Sequence, residues 1–340
     1  MKIFGVVAAV ALLGTMALGA EEFYVYTYDS FVSWGPAAEI EEAFEAAHPG
    51  VDLIWIAPGG AAETLSRMIA EIEAGGTDAD VFLGISDADL VRASPYLEPY
   101  EPGHVPNIAH VPREFLEIEP KGVALPFEQG YVAFVYDAEA LPDKLVPRNF
   151  ADLLRCELKG KIIVQDPRTS STGRAFLLWT IWRFGERGWI DFWRAFLRNV
   201  LVVTKGWSEA YDMFLAGEAP LVLSFTTDTA YSWIEHGSLR YRVTLFDGEA
   251  YRFVDWMGIV RGTPHRNLAH SFMDLVISKE IQERIPTTQW MFPVSEIAEL
   301  PEEFAKYAVI PEVPAWLPPA EVGEHLEDWI STWQELLISG

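Results

Sequence analysis

The sequence predicts an α/β protein built as two lobes around a hinged interlobe cleft, and three observations carry that expectation. Strand-like and helix-like segments alternate almost throughout the chain, as they do where helices cover a sheet. The 340 residues, half of them hydrophobic, exceed one ordinary core and suggest two. Extended segments near Pro126 and from Arg242 to Phe253 read as two crossings between lobes, which is what a hinge-bending protein needs.

The elements follow in order. Lys2 precedes an uncharged apolar run from Ile3 to Leu18, and Ala17-Leu18-Gly19 offers small residues to a signal peptidase. Residues 1–20 therefore read as a secretory signal peptide, too short and wrongly flanked for a membrane span. No cysteine follows the run, so a soluble mature chain without lipid, starting at Ala20 or Glu21, is expected. Phe23 to Thr27 is the first strand. Pro36 suits a first helical position, and Ile40 and Phe44 share one face of a helix that Pro49 stops. Val51 to Ile56 is a strand; Leu65, Met68, Ile69 and Ile72 mark an amphipathic helix closed by Gly75-Gly76; Val81 to Leu83 is a buried strand. "VALPFEQGYVAFVYD" (123–137) crosses into a second unit. That unit continues through strand "KIIVQD", a helix around Phe176 to Trp182, strand "VLVVT", a helix from Ser208 through Tyr211 to Leu215, and strand "PLVLSF". Residues 21–125 with 250–295 are expected to form the N-terminal lobe, and 126–249 with 296–340 the C-terminal lobe.

Composition narrows the function. A formal charge of −25 disfavours nucleic acid and anionic membrane surfaces. Cys156 is the only cysteine, so no internal disulfide forms. Leu153, Leu154 and Leu158 make it an ordinary member of an amphipathic helix rather than a nucleophile. The seven histidines show no HExxH or other short metal-ligand spacing, and His265 and His270 read as a solvated helix face. There is no GxSxG, P-loop or GxGxxG. Glu218 and Asp228 are the acids that could meet as a catalytic pair, although nothing in their spacing supports it.

What the chain does carry is aromatic residues beside turns at element ends: Tyr28, Trp34, Trp207, Tyr231 and Trp290. Doubly wound lobes bind ligands outside their strand ends. Rings there suit a flat, positively charged ring through stacking and cation–π attraction, each worth about 0.5–2 kcal/mol. Each ring taken singly also fits core or lobe-interface packing. Trp207 has a second reading as a hydrophobic staple before a Ser208 N-cap, although its partner would be Asp212. Thr169, Ser170, Ser171 and Thr172 precede a helix whose free N–H groups suit an anion, and simple N-capping accounts for them equally well.

These strings resemble the periplasmic thiamine-binding proteins of thiamine ABC importers. "VYTYDSF…WGP", "LPFEQGYVAFVYD", "QDPRTS", "VTKGWSEAY", "LVLSFTT…AY", "IPTTQWMFPV" and the terminal "WISTWQ" stand in that family's order over nearly the whole mature chain. The resemblance implies a two-lobed type II periplasmic binding protein fold, a periplasmic location and a monomer. It implies delivery of thiamine, thiamine monophosphate or thiamine diphosphate to a membrane permease, with no cofactor, no metal and no catalysis. It implies that Tyr28, Trp34, Trp207, Tyr231 and Trp290 surround the thiazolium and pyrimidine, and that the phosphate lies near Ser170 and the Gly59-Gly60 turn. The chain departs from the family at Phe225, where a Tyr is usual, beside Gly59-Gly60, where Asp-Gly is usual, and at Thr288-Gln289, where Gly-Asn is usual. Rivals on the same fold are ferric-ion binders, which use adjacent tyrosines absent here, polyamine binders, and thiamine-degrading enzymes with a cleft cysteine.

Overall fold

The computed structural model describes residues 19–119 and 121–339. The signal peptide expected over residues 1–20 falls, apart from its last two residues, outside that range. Among the described residues no helix is long and apolar enough to cross a membrane.

Twelve strands form one curled sheet: β1 (Glu21–Tyr26), β2 (Val51–Ile56), β3 (Val81–Ser86), β4 (Leu97–Glu98), β5 (Leu125–Asp137), β6 (Ile162–Gln165), β7 (Val200–Thr204), β8 (Leu221–Phe225), β9 (Tyr241–Thr244), β10 (Glu249–Val260), β11 (Phe292–Pro293) and β12 (Val313–Ala315). Eight of them run in the order β2-β1-β3-β10-β5-β8-β6-β7. β1 pairs parallel with β2 and β3, and β6 parallel with β7 and β8, while the β3–β10, β10–β5 and β5–β8 pairs are antiparallel.

β5 and β10 hold the lobes together. With 13 and 12 residues, each reaches roughly 40 Å, twice an ordinary strand. One apolar core takes Leu125 and Phe127 from β5 and Val254, Trp256, Met257, Ile259 and Val260 from β10, with Phe23, Phe44, Met68 and Phe82. Another takes Val132 and Phe134 from the far end of β5 and Tyr251 and Phe253 from β10, with Phe176, Trp193 and Trp333. Both long strands thus pass from one core to the next, and their middle residues lie at the junction.

The amphipathic helices form as their periodicity predicts. Ile40 and Phe44 are buried on the helix Ala37–Ala47, and Leu65, Met68 and Ile69 on Ala61–Glu73. Pro36 stands at the N-cap, one position before the predicted place. The helix read around Phe176 to Trp182 is part of a much longer element, Ser171–Phe196, which kinks at Gly185 (φ 69°, ψ −176°) into two helices. Cys156 sits in a single 3-10 turn, Cys156–Leu158, rather than on an amphipathic helix, and it is exposed. The histidine reading is also corrected. His265 is half-buried beside Asp80, and His270 is buried rather than solvated. His270 Nδ1 donates to the Arg266 carbonyl at 2.8 Å, and Nε2 accepts the Glu101 N–H at 2.9 Å. Donor atoms of Glu101, His104 and His270 lie within 4.8 Å of one another, but these bonds leave His270 no lone pair for a metal.

Candidate functional site

The site is a cleft at the junction, walled by residues from both lobes. Tyr28, Ser30, Trp34 and Ala61 come from one side; Ser171, Thr172, Trp207, Tyr211, Phe225, Asp228 and Tyr231 from the other. Glu128 and Asp255 from the two long strands, with Phe253, Gln289, Trp290 and Met291, complete it.

Five of the eight residues named from sequence, Tyr28, Trp34, Trp207, Tyr231 and Trp290, line this one cavity. Four of them form a ring of edges and faces with a fifth aromatic, Tyr211, that sequence reasoning had placed only on a helix. Trp207 stacks on Tyr211 at 4.7 Å between centroids and 17° between planes. Trp34 meets Trp207 edge-on at 6.0 Å and Tyr231 at 5.8 Å. Tyr231 meets Trp290 edge-on at 5.1 Å.

The Trp207 helix is capped two residues earlier than predicted, with Gly206 rather than Ser208 as its N-cap. Trp207 is therefore inside the first turn, and its stacking partner is four residues on, at Tyr211, on the same helix face. That replaces the staple onto Asp212. Its indole N–H donates to Ser224 Oγ on β8 at 3.0 Å, which fixes the ring plane against the cavity wall.

Trp290 is held differently. It follows the short helix Ile285–Thr288 with φ +57°, the left-handed region that a helix end usually gives to glycine. A bulky residue there costs about 1–2 kcal/mol, so the surrounding structure stabilises a conformation that turns this indole toward the cleft.

Tyr28 lies across β3 because Gly84 has no side chain: a Cβ there would come within 2.4 Å of the Tyr28 ring, at φ +107°. Its hydroxyl donates to Glu128 Oε1 at 2.8 Å and accepts from Gln289 Nε2 at 2.9 Å. Burial, then the Glu128 charge, hold this phenol well above its usual range, so it is neutral.

Three predicted residues stand outside the lining. Ser170 is the N-cap of Ser171–Phe196, and its Oγ accepts from the Gly173 N–H at 3.3 Å. The next two residues, Ser171 and Thr172, face the cavity instead, and Ser171 Oγ has no partner. Gly60 caps the helix Ala61–Glu73, and a Cβ on it would lie 3.0 Å from the Thr169 carbonyl of the other lobe. Gly59 sits under the Glu63 carboxylate, and Glu63 pairs across the lobes with Lys205 at 2.8 Å. Gly60 thus sets how closely the lobes approach here, while Ala61, the first residue of that helix, lines the cavity.

The electrostatics are acidic. Asp228, at the start of the helix Asp228–His236, is buried; burial pushes its carboxyl up to about 7, opposed by donors on Ser224, Tyr211 and the Phe225 backbone. Asp228 Oδ2 has no hydrogen-bond partner. Glu218 is exposed after the preceding helix and does not meet Asp228 in the cavity. Sequence reasoning missed Glu128, Asp255 and Tyr211 as lining residues; the aromatic-rich "FEQGY" and the shared helix face at 207 and 211 were the available signals. Among the described lining residues there is no lysine or arginine. Such a cavity can hold a flat cation between rings and compensate its charge from behind.

Comparison with known proteins matches this arrangement to a class. Residues 39–312 match the family described as bacterial extracellular solute-binding protein, and the chain belongs to it. Within that class it is 36% identical to the thiamine-binding periplasmic protein of Salmonella typhimurium, over 91% of both chains, and 35% identical to that of Escherichia coli, also over 91% of both. A solved structure titled periplasmic thiamin binding protein superposes with a TM-score of 0.82 at 32% identity, covering 98% of this chain and 99% of that one. The fold is the two-lobed type II periplasmic binding protein fold.

Proposed function

We propose that this protein captures thiamine outside the cytoplasm and delivers it to the membrane permease of an ABC importer, without catalysing a reaction. The single observation that carries the reading is the aromatic cage of Trp34, Trp207, Tyr211, Tyr231 and Trp290 with buried Asp228, Glu128 and Asp255 around it and no basic residue in the lining. A thiazolium is a flat cation, and cation–π contacts gain most where water is excluded. The relatives' names point to the same ligand.

The same cleft offers a place for the phosphate of thiamine monophosphate or diphosphate. The helices Ala61–Glu73 and Ser171–Phe196 both begin at the cavity wall, through Ala61 and through Ser171 and Thr172. Helix starts present free N–H groups and a favourable dipole to an anion, and Ser171 Oγ adds an unused donor. Ser170 supports this arrangement by capping the helix, and Gly59-Gly60 by letting the two helix starts approach.

Release from the membrane side requires the lobes to part, and β5 and β10 are the strands about which they would do so. In that reading the Lys205–Glu63 pair at the cleft mouth forms on closure. Export by the signal peptide and action as a monomer complete the proposal. Mass spectrometry of small molecules released on denaturing the protein purified from cells tests it. Thiamine or its phosphates are the expected species; iron or a polyamine in their place would refute the assignment.

A further inference from the structure

The acids between the lobes pose a charge problem that the aromatic cage does not answer. Glu128 on β5 and Asp255 on β10 are directly opposed partners of an antiparallel pair, so their side chains leave the sheet on one face with Cβ atoms about 5 Å apart. Glu128 is fully buried and Asp255 is 4% exposed, and both line the cavity. Glu128 Oε2 and Asp255 Oδ1 accept from no other described group, and the two carboxyls lie within hydrogen-bonding reach of each other.

Among the described residues lining the cavity with them there is no lysine or arginine. Tyr28 and Gln289 face Glu128 with neutral groups, and Asp29 lies near Tyr28. Asp87 and Asp89, from the segment after β3, face Asp255. Asp89 is bound to the buried Arg174 guanidinium, and Asp87 accepts the indole N–H groups of Trp256 at 2.7 Å and Trp316 at 3.0 Å, with Arg252 acting on it from further away. Asp228 stands in another part of the same lining. Two carboxylates side by side in a dry site cannot both stay ionised without a counter-charge. Burial first, then the neighbouring carboxyl, hold Glu128 well above the usual range; burial, then Asp87, raise Asp255 as well.

We propose that Glu128 and Asp255 share one proton in the empty cleft and release it to solvent when a cationic ring enters, so that ligand capture is an exchange of a cation for a proton. This rests on the thiamine reading above. The charge balances: the singly protonated pair carries −1 before binding, and the doubly ionised pair with a +1 ligand carries −1 after. The closed cleft therefore holds no extra buried charge. A neutral ring of the same shape lacks the field that would draw the proton out, which makes the pair a selector for fixed positive charge. Affinity should rise with pH, by up to about tenfold per unit where one proton leaves per ligand bound.

Calorimetric titration of the intact mature protein with thiamine at pH 7, in phosphate and in Tris buffer, counts the protons, because the two buffers take up a proton with different heats. The expected result is about one proton released per thiamine, since such a pair titrates as a unit, with affinity rising between pH 6.5 and 7.5. Glu128→Gln and Asp255→Asn should each bring the release close to zero. The wild-type buffer dependence stands even if a variant folds poorly. Equal heats in both buffers with thiamine bound would overturn the exchange and leave the thiamine reading intact. Release undiminished in both variants would overturn the assignment to this pair and pass it to Asp228. No thiamine binding by the wild type would overturn the thiamine reading and the exchange with it.

Discussion

Two clusters of aromatic residues interleave along the sequence and differ in what surrounds them. In the core beneath the sheet, Phe134, Phe150, Phe176, Trp179, Trp193 and Phe246 pack on one another, with Trp179 stacked on Phe246 at 5.4 Å and Phe176 against Trp193 at 5.1 Å. The Trp193 indole N–H is satisfied inside that core by Thr180 Oγ1 at 2.9 Å, while the indole N–H groups of Trp179, Trp189 and Trp333 there have no partner. Around the cleft the rings are spaced much the same, but the groups left over are carboxylate oxygens, Asp228 Oδ2, Glu128 Oε2 and Asp255 Oδ1, which accept from no other described group. The rings alone do not make a site. Buried polar groups are normally paired; the core leaves over indole N–H groups, whereas the cleft leaves over carboxylate oxygens facing a cavity, the kind of group that a cationic ligand can answer.

The largest expected effect falls on the core. Trp193→Ala should destabilise folding by about 3–5 kcal/mol, read from denaturant melts, while the folded fraction binds thiamine as before. An affinity loss as large as the stability loss would erase the distinction between the clusters.

The cleft should show itself next, through pH. Asp228, at about 7, and the Glu128–Asp255 pair are raised above the carboxyl values of an unfolded chain. The folded protein thus binds more protons than the unfolded one between pH about 4 and 7. The Asp228 contribution is fully present near pH 4 and is lost as pH rises from there through about 7. The empty protein's melting temperature should fall over that range, and Asp228→Asn should flatten part of the slope. A melting temperature that climbs steadily from pH 5 to 8 would contradict it.

Trp207→Leu and Trp290→Leu keep bulk and remove the strongest π faces, so each should weaken thiamine binding by about 1–2 kcal/mol, roughly five- to thirty-fold. Fluorescence titration measures this, and equal affinity in both variants would return these rings to a packing role. Smallest is the contrast between adjacent serines. Ser171→Ala should weaken thiamine phosphates more than thiamine by about 0.5–1.5 kcal/mol. Ser170→Ala should instead cost about 0.5–2 kcal/mol of stability through the lost cap, with no preference among ligands. Calorimetry on all three ligands separates the two, and the reverse pattern would move the phosphate back to Ser170.

Much of the fold was legible in the sequence because it rests on local periodicity. Ile40 and Phe44, or Leu65, Met68 and Ile69, face one way on any helix that forms there. Five aromatic lining residues were legible for a similar reason: they stand beside turns at element ends, where a doubly wound lobe opens. Tyr211 was not, because a tyrosine inside an amphipathic helix looks like core until its neighbour Trp207 is known to belong to the same helix. Ser170 and Ser171 could not be told apart, since one residue of helix start decides which hydroxyl caps and which faces the cleft. His270 looked solvated beside His265 because its partner, the Glu101 N–H, is 169 residues away in sequence.

The sequence by itself determined the alternation of strands and helices, the lack of an internal disulfide and the rings that stand beside turns at element ends. Each of these depends on residue identity within a few positions. Only the tertiary structure decided that Glu128 and Asp255, separated by more than a hundred positions, stand opposed on neighbouring strands with Asp228 in the same cleft wall. Antiparallel register sets that meeting, and a register is a property of two distant segments at once: a slip of one residue would turn either carboxyl to the opposite face of the sheet.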